Sequence, residues 1–329
     1  NPNSCASNQK KMHILVTGGC GYTGTLLTND LISLGYEVTV VDTQWFGNHL
    51  VPKKNLKIVK LDIRDHDKVP LKNIDTVVHL ANIANDPSVE LNPQLSWEVN
   101  VFATQKLMEN SIKNKVKHFI FASSGSVYGI KKEKEVTEEL SLVPISTYNK
   151  TKMIAERILR SYENSVKFHC IRPATVCGFS PRMRLDVSVN MFAFQALKFK
   201  SMSVFGGNQI RPNIHIQDLV NVYKHFISNP SLPGGFYNAG FENLKIIEIA
   251  KKVAKIIPSE IVINENNNDP RSYRQNSNKL FSTGFKKKFS VSDAIKEIKK
   301  KYEDKKFTES DKCYTVKWMK TIDLQLKSI

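Results

Sequence analysis

The segment Thr17-Gly18-Gly19-Cys20-Gly21-Tyr22-Thr23-Gly24 limits what this chain can fold into more than any other. It follows a short β-branched run, His13 to Thr17, and leads into residues whose apolar positions (Leu26, Leu27, Leu31, Leu34) repeat with helical spacing. Gly18, Gly21 and Gly24 are spaced by three. A strand that turns this tightly into a helix needs residues without Cβ. Backbone amides and the helix N-terminus then approach a pyrophosphate closely. A chance glycine-rich turn is the competing reading, and the flanking sequence argues against it. The next β-branched run, Glu37 to Val41, ends at Asp42, 24 positions past Gly18. A carboxylate there accepts both hydroxyls of an adenosine ribose and repels a 2′-phosphate. Thr43-Gln44-Trp45 offer no arginine for such a phosphate, so NAD is expected rather than NADP.

Further strands are expected at Lys57 to Leu61, Thr76 to Leu80, His118 to Ala122 and Lys167 to Arg172, each nearly apolar on both faces. Helices are expected over 22–34, 92–114 and 148–162, with Gly35 as the left-handed stop of the first. This alternation predicts an α/β fold with a Rossmann-type doubly wound parallel sheet over 12–172. Asp62-Ile63, closing the third strand, would meet the adenine edge, although an ordinary strand-end aspartate reads the same way. Leu80-Ala81 would pass along the cofactor.

Beyond Arg172 prolines punctuate shorter elements, and helices are expected at 187–198, 217–228, 244–256 and 291–303. Residues 173–329 read as a smaller C-terminal α+β substrate lobe, with about 212–240 returning to the first domain. The tail from about Lys305 is too polar to assign. The polar stretch 1–11 has no signal-peptide core and reads as a disordered leader or cloning remnant.

At 329 residues, 41% hydrophobic and 24% charged, the chain is neither disordered nor membrane-spanning. Its five cysteines form no CxxC pair, which speaks against a disulfide framework or zinc site and for a reducing cytoplasm. No metal is expected. The 48 Lys+Arg against 31 Asp+Glu give a formal charge of +17. The excess is dispersed lysine without interleaved aromatics, so a solvated surface is favoured over a nucleic-acid site.

Tyr148 and Lys152 stand four apart on an expected helix and share one face. A nearby ammonium stabilises a phenolate, which can then take a proton from a sugar hydroxyl while hydride leaves for NAD. Alone the pair is common by chance. The fifth strand, however, runs into Ser123-Ser124-Gly125-Ser126-Val127-Tyr128-Gly129, at the sheet edge where such folds bind ligands. Ser124 would hydrogen-bond the same oxygen as Tyr148; an ordinary polar turn is the competing reading.

These residues, with HLAN, VNVFAT, YNKTK, RPATVCG, RPNIHIQDL and YNAG, resemble the extended short-chain dehydrogenase/reductases, in the nucleotide-sugar epimerase and dehydratase branch, from about Met12 to Tyr302. The resemblance implies bound NAD, a Ser124–Tyr148–Lys152 active site, a carboxy-terminal lobe gripping a nucleoside diphosphate, and homodimerisation through helices near 92–114 and 148–162. Cofactor contacts are implied for Tyr22, Thr23, Thr43, Asn100, Ser123 and Pro173, and substrate contacts for Ser126, Thr175 and Asn190. Arg211 stands where UDP-galactose 4-epimerases carry a diphosphate-binding arginine, and Arg271 or Arg274 falls near their second one; an exposed salt-bridging arginine is the alternative for each. Arg182 and Arg184 are further candidates, not separable here from surface charge.

Two departures bear on the reaction. Sugar 4,6-dehydratases carry an Asp-Glu pair where this chain has Gly125-Ser126, and GDP-mannose 3,5-epimerases a cysteine at Ser126. Thr175 stands where many relatives have a substrate-binding Asn, and Cys177, read as a small buried hydrophobe, where Tyr or Val is common. The expectation is a cytoplasmic NAD-dependent nucleotide-sugar epimerase working by transient oxidation to a keto sugar, with no nucleic-acid or membrane partner. A dehydrogenase or ketoreductase with the same triad, or a non-catalytic nucleotide- or RNA-binding member of the family, is the alternative.

Overall fold

The computed structural model describes residues 11–83, 91–267, 269 and 271–326. Residues 1–10 of the expected leader lie outside them. The strands are β1 (His13–Thr17), β2 (Glu37–Asp42), β3 (Leu56–Lys60), β4 (Thr76–His79), β5 (His118–Ala122), β6 (Lys167–Pro173), β7 (Thr175–Cys177), β8 (Ser201–Phe205), β9 (Ile210–His215), β10 (Gly235–Ala239), β11 (Glu242–Lys245) and β12 (Glu260–Asn264). Seven form one sheet in the order β10-β6-β5-β4-β1-β2-β3, with every pairing parallel. The chain winds outward from β1 in one direction and from β4 in the other. Their carboxyl ends therefore open a crevice at the switch point.

Both faces are buried along β1, β2 and β4 to β6, which is why those strands lack polar alternation; the edge strand β3, expected to be apolar on both faces, instead exposes Lys57 and Lys60. The Tyr22–Ser33 and Ile216–Ser228 helices cover one face with Leu27, Leu31, Val220 and Phe226. The Ala103–Lys113 and Thr147–Arg160 helices cover the other with Leu107, Met108, Ala155 and Leu159. The smaller lobe has its own core, built by Phe192, Ile249, Val253 and Ile295 on three helices (Ser188–Phe199, Ile246–Ile256, Val291–Glu303).

Two further features depart from the sequence expectation. The helix expected over 92–114 is interrupted: Asn92 caps a short Pro93–Trp97 segment, and a π-turn at Glu98–Phe102 precedes Ala103–Lys113. The unassigned tail forms a helix, Thr315–Leu326, which buries Met319 and Ile322 against the sheet-face core. Its Trp318 Nε1 donates to the Trp45 carbonyl at 2.6 Å.

Candidate active site

A cavity of about 490 Å³ occupies the crevice. Its floor is the glycine turn. Gly18 has φ +72°, and a Cβ there would lie 2.8 Å from the Ala81 amide nitrogen; a Cβ on Gly24 would run into the Gly18 carbonyl oxygen. The turn closes through Gly21 N donating to Gly18 O at 3.1 Å. Only glycine fits this cradle, and it leaves the N-terminus of the Tyr22–Ser33 helix open to an anion. The Tyr22 hydroxyl donates to Gly178 O at 2.6 Å, fastening the turn to the smaller lobe.

Asp42 ends β2 and lines the same cavity. Its carboxylate accepts from Cys20 N (3.0 Å) and Gln44 N (2.7 Å). Burial raises its pKa, against the pull of those amides and of Arg182. Burial, with Asp42 nearby, pushes the Cys20 thiol up to about 12, so it stays protonated. Thr23, Thr43, Ile63, Leu80 and Ala81 join the wall, as does Asp62, which is paired with Arg64 at 2.8 Å.

The hydroxyl groups come from the ends of β5 and from the Thr147–Arg160 helix, whose cap Ser146 accepts from Asn149 N at 3.2 Å. Ser123, Ser124, Ser126, Tyr148, Pro173 and Thr175 all line the cavity. Ser126 Oγ donates to Asn149 Oδ1 at 2.5 Å and lies 2.7 Å from Ser124 Oγ. A hydroxyl has one proton, so with that proton on Asn149, Ser126 accepts from Ser124. Sequence reasoning missed Asn149; its only signal was its place beside Tyr148.

Lys152 lies beneath this surface, 1% exposed. Its ammonium donates to Ala122 O at 2.8 Å and stands 5.9 Å from the Tyr148 ring centroid and 4.9 Å from that of Phe121. Burial pulls its pKa from 10.5 to about 7, opposed by Cys170 and Glu156. A cation this close to a phenol favours the phenolate.

Arg211 on β9 and Arg271 line the opposite end and share the Asp269 carboxylate, at 3.0 and 2.9 Å. Arg182 and Arg184 also face the cavity, so they are not ordinary surface charge. Three further candidates lie off the wall. Asn100 is buried in the π-turn, where its amide holds Ile83 N and O and Thr151 Oγ1. Asn190 spends its amide on Tyr22 Oη, Gly178 and the Arg184 carbonyl. Arg274 is outside the lining and takes part through its backbone, accepting from Val136 N. Phe46, Tyr273, Thr315 and Met319 line the cavity without having been singled out in the sequence.

Among the described residues, the carboxylates of the lining are Asp42 and Asp62, both at the β2–β3 end, against four arginines. Such a cavity suits a ligand bearing several phosphates.

Comparisons with known proteins agree with this geometry. The model of the NAD dependent epimerase/dehydratase family matches residues 14–240. A UDP-glucose 4-epimerase of Lactobacillus helveticus is 29% identical over 332 residues, covering 89% of this chain and 100% of that protein. UDP-glucuronic acid decarboxylase 1 of Xenopus tropicalis is 28% identical over 269 residues, 77% of this chain and 62% of the relative. Among solved structures, the Thermotoga maritima UDP-glucose 4-epimerase with UDP-glucose superposes with a TM-score of 0.80 at 26% identity, over 89% of this chain and 99% of that one.

Proposed function

We propose that this chain, which belongs to the NAD dependent epimerase/dehydratase family and uses NAD, is a nucleotide-sugar epimerase. The glycine cradle and the ribose-facing Asp42 fit the dinucleotide. When bound, NAD supplies a reversible hydride acceptor. The chain's own residues do the rest. Tyr148, as phenolate, takes the proton of a sugar hydroxyl, and the Lys152 ammonium stabilises that phenolate. Ser124, turning its one proton from Ser126 to the substrate, hydrogen-bonds the reacting oxygen. Arg211 and Arg271 hold the diphosphate in place of Asp269, leaving the transient keto sugar free to turn and accept hydride on its other face.

One observation carries the choice of reaction: among the described residues, the carboxylates of the cavity lining, Asp42 and Asp62, come from the ends of β2 and β3, while the end of β5 gives it serine hydroxyls, with Tyr148 from the following helix. Elimination of water asks for a carboxylic acid–base pair there. A Cβ on Gly125 would sit 3.0 Å from Pro173 O and 3.1 Å from Gln275 Nε2, so an aspartate is sterically opposed at that position. Ser126, hydrogen-bonded to Asn149, is neutral. A dehydrogenase or ketoreductase with the same triad would differ by a net change in substrate mass.

A cytoplasmic homodimer, with a nucleoside-diphosphate sugar and neither nucleic acid nor membrane as partner, completes the reading. Trp97 and Phe102, 37% and 52% exposed on the 93–113 helical segment, support the dimer contact. The test is mass spectrometry and NMR of products from a panel of nucleotide sugars. An isomer of unchanged mass is expected; loss of water, loss of carbon dioxide or a two-electron change would overturn the epimerase reading.

A further inference from the structure

We propose that Arg182, contributed by the smaller lobe, binds the cofactor rather than the sugar nucleotide, its guanidinium holding the dinucleotide's pyrophosphate from the side opposite the glycine turn. The inference rests on the NAD cavity and not on the epimerase reading.

Arg182 lies between β7 and the Ser188–Phe199 helix, in the segment Ser180-Pro181-Arg182-Met183-Arg184. It is 5% exposed and lines the cavity that holds Gly21 and Asp42. The other arginines of the lining have carboxylates: Arg184 meets Asp186 at 3.0 Å, and Arg211 and Arg271 share Asp269. Arg182 has none within ion-pair distance among the described residues. Its hydrogen bond goes from Nη1 to the Met183 carbonyl at 3.1 Å, which leaves most of its five N–H donors over. Burial, reinforced by the like charge of Arg184, pulls its pKa down to about 10, the mark of a cation without enough compensation. A buried charge left unpaired is costly unless an anion arrives to meet it.

The surroundings say which anion. The guanidinium carbon lies 4.0 Å from the Phe46 ring centroid, so the aromatic face fixes its plane. Phe46 follows Asp42 by four residues, at the ribose end of the cavity, where the carboxylate repels a 2′-phosphate. Gly21 and Tyr22, at the N-terminus of the helix after the glycine turn, line the same cavity as Arg182 and Phe46. The anion in reach of both the helix N-terminus and this fork is the pyrophosphate. The diphosphate of a sugar nucleotide, by contrast, belongs with Arg211 and Arg271. Arg182 thereby makes cofactor retention depend on the smaller lobe.

The test is calorimetric titration of nucleotide-stripped protein with NAD, NADP, ADP and adenosine, for wild type, Arg182→Gln and Arg182→Lys. Arg182→Gln is expected to weaken NAD and ADP by about tenfold or more, as loss of a charged hydrogen bond does, and to leave adenosine unchanged. Arg182→Lys, which keeps the charge and loses the fork, is expected in between, and decides the matter if the glutamine variant fails to fold. The KM for the sugar nucleotide at saturating NAD should not move. Unchanged NAD affinity in both variants, an equal loss for adenosine, a loss confined to NADP, or a rise in sugar-nucleotide KM alone would each overturn the assignment.

Discussion

Replacing Lys152 by methionine should cut turnover by orders of magnitude and make the protein more stable below neutral pH. The lysine is 1% exposed, and methionine keeps most of the stem packed against Phe121 and Tyr148. Its pKa falls from 10.5 to about 7 on burial; at about 1.4 kcal/mol per unit, holding the charge there costs about 5 kcal/mol. The variant loses the hydrogen bond to Ala122 O, worth on the order of 2–3 kcal/mol once the orphaned carbonyl is included. A net gain of about 2–3 kcal/mol remains below neutral pH. The sign follows from proton counting. Between about 7 and 10.5 the unfolded lysine is charged and the folded one neutral, so the unfolded chain binds more protons and wild-type stability rises with pH. The variant's advantage is therefore full below pH 7 and shrinks as pH rises. It turns into a deficit of about 2–3 kcal/mol by pH 10.5, where wild type has shed the charge and keeps its hydrogen bond. Urea unfolding of nucleotide-stripped wild type and variant from about pH 6 to about pH 10 measures it. A variant less stable at every pH, or an advantage that does not change with pH, would refute the reasoning. Activity should fall by about 10²–10⁴, the range of general-base contributions.

Gly24→Ala places a methyl group against the Gly18 carbonyl, so NAD binding followed by calorimetry should disappear while circular dichroism stays native; wild-type affinity would contradict the cradle. Asn149→Ala takes away the acceptor that orients Ser126 and through it Ser124. It is expected to lower kcat by about tenfold, the worth of one hydrogen bond, with KM little changed. Glu156→Gln breaks the buried pair in which Arg172 Nε and Nη2 reach the carboxylate at 2.7 and 3.0 Å. About 3 kcal/mol of stability should be lost in urea unfolding, as for one partner removed from a buried ion pair.

How far the sequence could be read depended on whether the signal was local. The glycine turn, the Asp42 strand end and the Tyr148–Lys152 spacing each lie within one element or one connection, and β1, β2 and β4 to β6 declare themselves because both faces are buried. β9 does not. Pro212 argues against a strand, yet its ladder with β7 begins only at Asn213 opposite Thr175, so the missing donor costs nothing on that side. The π-turn at Glu98–Phe102 leaves no mark in the 3.6-residue pattern, although the expected bounds of 92–114 enclose its helical segment. The tail helix follows a polar run from Lys305 to Lys312 that hides its start, and it is held by tertiary contacts of Trp318, Met319 and Ile322. The pairing of Arg182 with Phe46 joins residues distant in sequence, and nothing local announces it.

The most direct measurement is the fate of hydrogen at the inverted carbon. A nucleotide sugar deuterated at its ring carbons, converted in ordinary water and read by NMR, should give an epimer that keeps its deuterium, because the same hydride leaves and comes back within the closed cavity. Solvent hydrogen at that carbon would mean that a proton was drawn from carbon instead, and the oxidation–return account built on Ser124, Tyr148 and Lys152 would fall.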